Sequence, residues 1–417
     1  MRRYEDYRTS DASWIHQIPK HWNIRKMKFS FKERSEKNHP DEIKLSATQS
    51  HGVIPQSMYE DKGNHVVDVN KNFDGLKLVK VGDFVIHLRS FQGGIAYAYY
   101  QGIISAAYTI LYPLEAEYGK YYKYLFTSNP YIQLLKTCVT GIREGKNIDY
   151  NILGNKYIPI PPIDEQEAIV EYLDSKTSKI DSYVAERERE LQSLEELKQA
   201  EIAHIVTHGL NPAVPMRDSG IPWLGKIPAH WKTEKINAHF KERRVKVSDK
   251  DYPALSVAKI GVVPQLEDAV KTDNGDNRKL VKQGDFVVNS RSDRKGSCGV
   301  APQDGSVSLI NIVLEIIDMD RDYVHFLFRS NNYIEEFYRN GRGIVADLWT
   351  TRYSEMKNII IPVPPIEEQK AIVDYINAKT SKIDSLIADL TAQIEKLKEY
   401  KQRLIADVVT GQIDVRK

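Results

Sequence analysis

The chain has 417 residues, too many for one ordinary core and enough for two or three domains. Its 41% hydrophobic and 28% charged content is that of a globular chain. No apolar run approaches the roughly 18–20 residues of a membrane span, and the opening MRRYEDYRTS lacks an apolar signal core, so a cytoplasmic protein with no membrane contact is expected. The net charge of +2 averages over blocks of different sign: +6 in residues 1–163, −7 in 164–208, +3 in 209–366 and zero in 367–417. Such blocks imply different partners for different segments, although the basic excess is too small to establish nucleic-acid binding alone. Cys138 and Cys298 have no CxxC or His-rich context, which argues against zinc. They read as reduced thiols, with a disulfide between them left open.

In chain order, SWIHQIPKHW ends at Trp22 and is followed by FKER at Phe31–Arg34. Lys44–Thr48 alternates weakly and precedes Gly52-Val53-Ile54-Pro55-Gln56. Gly82-Asp83-Phe84-Val85 couples a turn to a β-branched and aromatic run, the pattern of a strand after a turn. Ile95–Tyr100 and Ala106–Tyr112 also have strand propensity, whereas Tyr121–Thr137 reads as a helix, a break and a second helix. Ile158–Ile163, IPIPPI, predicts an extended, stiff linker because proline fixes φ and removes amide donors. Asp164-Glu165-Gln166 then places acidic groups in the first turn of a helix, where they complement its dipole.

Much of this recurs. PWLGKIPAHW ends at Trp231, FKER returns at Phe240–Arg243, Gly261–Gln265 echoes Gly52–Gln56, and Gly284-Asp285-Phe286-Val287 echoes the earlier GDFV. Ser308–Ile317 has strand propensity and Tyr323–Arg339 repeats the helix–break–helix pattern. IPIPPIDEQEAIVEYLDSKTSKIDS from Ile158 returns from Ile361 as IPVPPIEEQKAIVDYINAKTSKIDS. A repeat on this scale divides the protein into two similar halves. Each half predicts a mixed α/β globule of roughly 150 residues, large enough for its own core. Trp22 and Trp231 read as core or staple residues rather than stacking platforms.

The two repeated helices keep a common heptad. In the second, Val373, Ile376, Thr380, Ile383, Ile387, Leu390, Ile394, Leu397, Lys401, Leu404 and Val408 alternate by three and four, with Lys401 the only charge. In the first, the seam of Val170, Leu173, Thr177, Ile180, Val184, Arg187, Leu191, Leu194, Lys198, Glu201 and Ile205 is weaker. Both predict a coiled coil. The internal symmetry makes the pair antiparallel, and the match of Val206–Leu210 with Val409–Ile413 and of Met216–Trp231 with Tyr7–Trp22 places the termini near each other.

Two variable α/β globules, two near-identical coiled-coil helices and the PPI-[DE]-EQ-x-AIV signature resemble the specificity subunits of type I restriction–modification systems, over essentially the whole chain. The resemblance implies two target recognition domains, residues 1–163 and, together with a linker that precedes the second, 209–366. It also implies two conserved helical segments, 164–208 and 367–417, the latter with a C-terminal tail. Each recognition domain would read one half of a bipartite, asymmetric site in double-stranded DNA. The helices would set the gap and dock two methyltransferase subunits, joined in the larger assembly by endonuclease and translocase subunits. About 45 helical residues make a rod of roughly 65 Å, against about 34 Å per turn of B-DNA, so the pair would act as a ruler.

Such a subunit is non-catalytic and binds no cofactor. S-adenosylmethionine would belong to the methyltransferase partner, and ATP and magnesium to the endonuclease partner. The chain has neither a GxxxxGK[ST] loop nor an FxGxG loop, and no [DNS]PP[YFW] motif. Asn129-Pro130-Tyr131 reads as a helix break, and Glu144-Gly145-Lys146 has only the ExK end of a nuclease site, with Val345-Ala346-Asp347 in the other half. Two other readings are an architectural rod with protein-binding ends and a stand-alone DNA-binding regulator.

For DNA contact the loops after GDFV come first: Arg89, Ser90 and Gln92, and Arg291, Ser292, Arg294 and Lys295, which mix basic and amide groups with glycine. Arginine suits guanine or phosphate, and glutamine suits adenine. A second set is Ser46, Thr48, Gln49, Ser50 and His51 with Ser256 and Lys259, which differ between halves as base-reading positions should. A third is Arg143 and Lys146 with Arg342. Lys32, Arg34, Lys241, Arg243 and Arg244 suit phosphate, which positions without specifying.

Overall fold

Phenylalanines from three separate motifs meet to build each half. In the first, Phe31 of FKER lies 5.6 Å from Phe84 of GDFV between ring centroids, and both pack on Phe126, at 5.3 and 5.1 Å. In the second, Phe240 and Phe286 sit 5.2 and 5.0 Å from Phe328, which stacks on Tyr333 at 4.3 Å. All six phenylalanines are fully buried, and clusters of this kind give stabilisation beyond area alone.

The computed structural model describes residues 2–49, 51–60, 75–115, 119–140, 147–265, 275–343 and 349–416. It divides into two units, Met1–Glu188 with Ala392–Lys417, and Arg189–Thr391.

The first unit holds an antiparallel four-stranded sheet in the order Phe31–Arg34, Thr109–Pro113, Phe84–Ile86, Ala96–Tyr97. The second unit repeats it as Phe240–Glu242, Asn311–Ile316, Phe286–Asn289, Cys298–Val300. Each sheet covers its aromatic core with a helix pair, Gly119–Leu125 with Asn129–Lys136, or Arg321–Arg329 with Asn331–Arg339. On the other side an aliphatic cluster, including Val53, Val79 and Val85 or Val262, Val281 and Val287, supports the hairpins Leu45–Thr48/Gly52–Pro55 and Leu255–Ala258/Gly261–Pro264. Cys138 and Cys298 are free buried thiols, each in the aromatic core of its own unit; burial pushes the Cys298 thiol up to about 12.

The proline-rich strap is not a plain linker. Tyr157–Ile160 pairs with Asn23–Lys26, and Ile360–Val363 with Lys232–Lys235. Proline is tolerated there because each pairing is a two-stranded ribbon in which both strands are edges. The prolines after it start the long helices, Ile163–His208 and Ile366–Val409. The signature glutamines lock that junction: Gln166 Nε2 donates to the Pro161 carbonyl at 2.8 Å, and Gln369 Nε2 to that of Pro364 at 2.9 Å.

Within the first unit, Asp181 pairs with Lys401 at 2.6 Å and Glu188 with Lys398 at 3.2 Å, so the helices run antiparallel. Within the second, Lys198 pairs with Asp384 and Glu201 with Lys379. The seam lysines that weaken the heptad therefore meet aspartates of the opposite helix, which is how charges in such a seam specify register. In the first unit Glu165, only 3% exposed, accepts hydrogen bonds from Tyr4, Trp22 and Arg416 and faces His21. Its counterpart Glu368 is 27% exposed and meets His230 at 2.8 Å. Trp22 and Trp231 are buried, as core residues should be.

Candidate nucleic-acid interface

The turn that opens each GDFV strand is held by its own aspartate. Asp83 Oδ2 accepts from the Lys80 amide at 2.8 Å and Asp285 Oδ2 from the Lys282 amide at 2.9 Å. The same carboxylates take a two-pronged grip from the FKER arginines: Arg34 on Asp83 at 2.7 and 3.1 Å, and Arg243 on Asp285 at 2.7 and 3.1 Å. The aspartates are almost fully buried. The expectation that Arg34 and Arg243 hold phosphate therefore gives way to a structural role. Their guanidiniums neutralise buried charge, which would otherwise be costly. Hydrogen bonding to Asp285 holds the Arg243 pKa above its usual value, against a smaller effect of burial.

In the first unit the loop after the strand is one helical turn, Ser90–Gly93. Ser90 is completely buried, and its Oγ accepts from the His87 amide at 2.9 Å, so it fixes the turn and offers nothing to a ligand. Arg89 and Gln92 remain exposed. Burial, helped by the Arg89 charge, lowers His87 to about 4. Thr48 is also committed inward: Oγ1 donates to the Gly52 carbonyl and accepts from the His51 amide, each at 2.9 Å. Ser46 is half-buried opposite Ile54.

Gln49, next to Thr48, stays exposed and reaches across to the other loop, where its Nε2 donates to Gln92 Oε1 at 3.2 Å. The first two candidate sets thus meet through their amides. Gln49 and His51 line one side of a cleft of about 710 Å³ whose other walls include Tyr99, Tyr100, Lys123 and Lys401. Lys32 is exposed on the outer strand. Ser50, Arg143 and Lys146 lie outside the described residues, as do Glu144 and Val345-Ala346-Asp347.

In the second unit the loops join differently. Arg291 and Arg342 both bridge to Thr350, through antiparallel backbone pairing, and the Ser292 amide donates to the Trp349 carbonyl at 3.0 Å. The first and third sets are thereby brought together. Arg291 lies 3.0 Å from Asp293, Lys295 2.6 Å from Glu335, and Arg342 3.7 Å from Glu355. All three cations, and Arg294, are exposed. Lys259 is exposed at the hairpin tip, its carbonyl accepting from Arg329 at 2.6 Å, and Ser256 is half-buried opposite Val263. Lys241 and Arg244 are exposed, with Arg244 beside Glu242 at 2.6 Å.

Two features escaped the sequence reading. Trp349, 38% exposed, stands beside the Thr350 bridge; a tryptophan in the polar stretch Trp349-Thr350-Thr351-Arg352 was the available signal. Arg352 joins Arg244 and Lys279 in the lining of a cleft of about 360 Å³. Nothing local in sequence links those three residues.

The sequence profile of the type I restriction modification DNA specificity domain matches residues 23–193 and 239–396. A protein provisionally named the MjaX type I restriction enzyme specificity subunit, from Methanocaldococcus jannaschii, is 23% identical over 427 residues, covering 96% of each chain. The EcoBI type I restriction enzyme specificity subunit of Escherichia coli is 21% identical over 400 residues, covering 83% of this chain and 82% of its own. A chain solved in work on complex assembly and conformational transition of the type I R-M system has the same fold, with a TM-score of 0.67 at 15% identity over 95% of this chain and 99% of that one.

Proposed function

Because the chain belongs to the type I restriction modification DNA specificity domain family, we propose that it is the non-catalytic subunit that gives such a complex its DNA sequence specificity. Residues 1–163 and 209–366 act as target recognition domains, each reading one half of a bipartite, asymmetric site in double-stranded DNA. Residues 164–208 and 367–417 set the gap and dock two methyltransferase subunits. S-adenosylmethionine, ATP and magnesium serve the methyltransferase and endonuclease partners, and the complex works in the cytoplasm.

One observation above all supports this reading. The two units share sheet order, aspartate-held turns and arginine struts, yet differ at the exposed loop tips. Gln49 and Gln92 occupy the places that Lys259 and Arg294 occupy in the other unit. Conserved scaffolding under divergent polar tips is what reading two different half-sites requires, since base edges differ in their donors and acceptors while the backbone does not. Arg89, Arg291, Arg294, Lys295 and Arg342 are the strongest candidates for base contact, with Ser46, His51, Ser256 and Ser292 beside them. Lys32, Lys241 and Arg244 serve as phosphate contacts.

The test is methylome sequencing of cells that express the chain with its cognate methyltransferase subunit. One split motif, methylated on both strands and lost when this chain is omitted, is expected. A complex that forms without any new motif, or no complex at all, would refute the proposal; the latter would favour an architectural rod.

A further inference from the structure

Resting on that reading, we propose that the Gln49–Gln92 amide pair recognises one adenine in the half-site read by the first unit. Two side chains from separate loops are held amide to amide, Gln49 Nε2 donating to Gln92 Oε1 at 3.2 Å. That bond consumes one donor and one acceptor. It leaves Gln49 Oε1 as an acceptor and Gln92 Nε2 as a donor, both on exposed residues, besides one further N–H on Gln49 and one lone pair on Gln92 Oε1. Exchanging the roles of the two amides leaves the same complement, one acceptor beside one donor.

In the major groove adenine alone presents a donor, N6–H, next to an acceptor, N7. Guanine offers two acceptors there, cytosine a donor without a neighbouring acceptor, and thymine an acceptor beside a methyl group. Adenine is the one base that by itself offers a partner to both Gln49 Oε1 and Gln92 Nε2.

The pair is built rather than incidental. Gln49 follows Thr48, whose hydroxyl closes the hairpin turn by two hydrogen bonds. Gln92 sits on the turn fixed by buried Ser90. Gly93 lets the two loops approach: a Cβ there would fall 2.8 Å from Gln49 Cγ. Gly94 adopts φ +92°, and a Cβ at that position would meet the Phe126 carbonyl at 2.3 Å. A side chain at Gly93 would displace the Gln49 amide, and one at Gly94 would push the turn that carries Gln92 off the Phe126 backbone. Fixing both groups before binding removes the ordering cost that a free glutamine would carry. The second unit has Lys259 and Arg294 at these places, so it lacks this complement.

The chain is co-expressed with its methyltransferase subunit and methylomes are compared for wild type, Gln49→Ala, Gln92→Ala and the double variant. The expected result is relaxation at a single adenine position of one half-site, with the other half-site and the gap unchanged. Binding of the purified complex to duplexes then uses 7-deazaadenine at that position. It should weaken wild-type binding about three- to tenfold, the loss of one of the two hydrogen bonds, and leave the complex of the double variant unaffected. An unchanged motif, relaxation at a G·C pair, or equal weakening on all sequences overturns the inference while leaving the specificity role intact. A wild-type chain that directs no motif overturns both.

Discussion

Replacing Arg34 by methionine separates two roles that a basic residue on an outer strand can have. Methionine keeps an unbranched apolar stem against Tyr112, over whose ring the guanidinium lies at 4.8 Å. It strands the Asp83 carboxylate, 3% exposed, with the Lys80 amide as its remaining bond. Breaking a buried pair from one side costs about 3–5 kcal/mol. Arg34 is itself 13% exposed and the Lys80 amide still helps, so the lower figure, about 3 kcal/mol, applies. At a urea dependence of roughly 2–3 kcal/mol per molar, that lowers the midpoint of the first unit by about 1 M or more. Arg243→Met, with matching geometry on Asp285, should do the same to the second unit. Lys32→Ala, by contrast, should leave both midpoints in place and reduce the salt dependence of DNA binding by about one phosphate contact. The assay is urea unfolding followed by unit-specific fluorescence, beside salt-dependent DNA binding. Unchanged midpoints for Arg34→Met together with a lost phosphate contact would refute the structural assignment.

His87 and His325, both lowered to about 4 by burial and then by the charges of Arg89 and Arg329, refuse a proton that the unfolded chain binds near pH 6.5. Stability is therefore complete above about pH 6.5 and is lost as pH falls toward 4, by up to about 3 kcal/mol for each histidine. A flat urea midpoint between pH 7 and 4.5 would contradict this, as would a slope unchanged in His87→Gln and His325→Gln. Glu165→Ala should destabilise the first unit by about 3 kcal/mol because it orphans the Tyr4 hydroxyl and the Trp22 indole N–H and takes one contact from Arg416, which keeps Asp414, whereas Glu368→Ala, losing one half-exposed contact, should cost under about 1 kcal/mol. Equal thermal shifts for the two would be the wrong outcome. Inserting four residues, about 6 Å of helix, into both long helices should lengthen the unread gap by one or two base pairs. An unchanged motif in methylome sequencing would dismiss the ruler.

The repeat made the architecture legible, because similar runs such as FKER and GDFV build similar sheets, and the heptads announced the paired helices. What remained hidden were the internal partners of polar side chains. Ser90 and Thr48 look like surface groups in sequence, but each is consumed by a turn within a few residues of itself. Arg34 and Arg243 find their aspartates more than forty residues away. The strap read as a linker because its prolines forbid a central strand, yet a two-stranded ribbon accepts them. Gln49 and Gln92 were both visible as candidates, but their juxtaposition depends on Gly93 having no side chain.

The first unit is discontinuous in the chain, whereas the second is one continuous stretch, Arg189–Thr391. The ribosome therefore finishes every residue of the second unit before it makes Ala392–Lys417, which supply Leu404, Ile405, Val408 and Val409 to the core of the first. Until then the first unit lacks the Tyr121–Val409 and Glu165–Arg416 bonds, and the cluster that holds Leu173 and Ile169 is incomplete. Nascent chains should thus acquire protease resistance in the later-encoded unit first. A premature stop near residue 392 would spare the half that is translated second and cripple the half that is translated first.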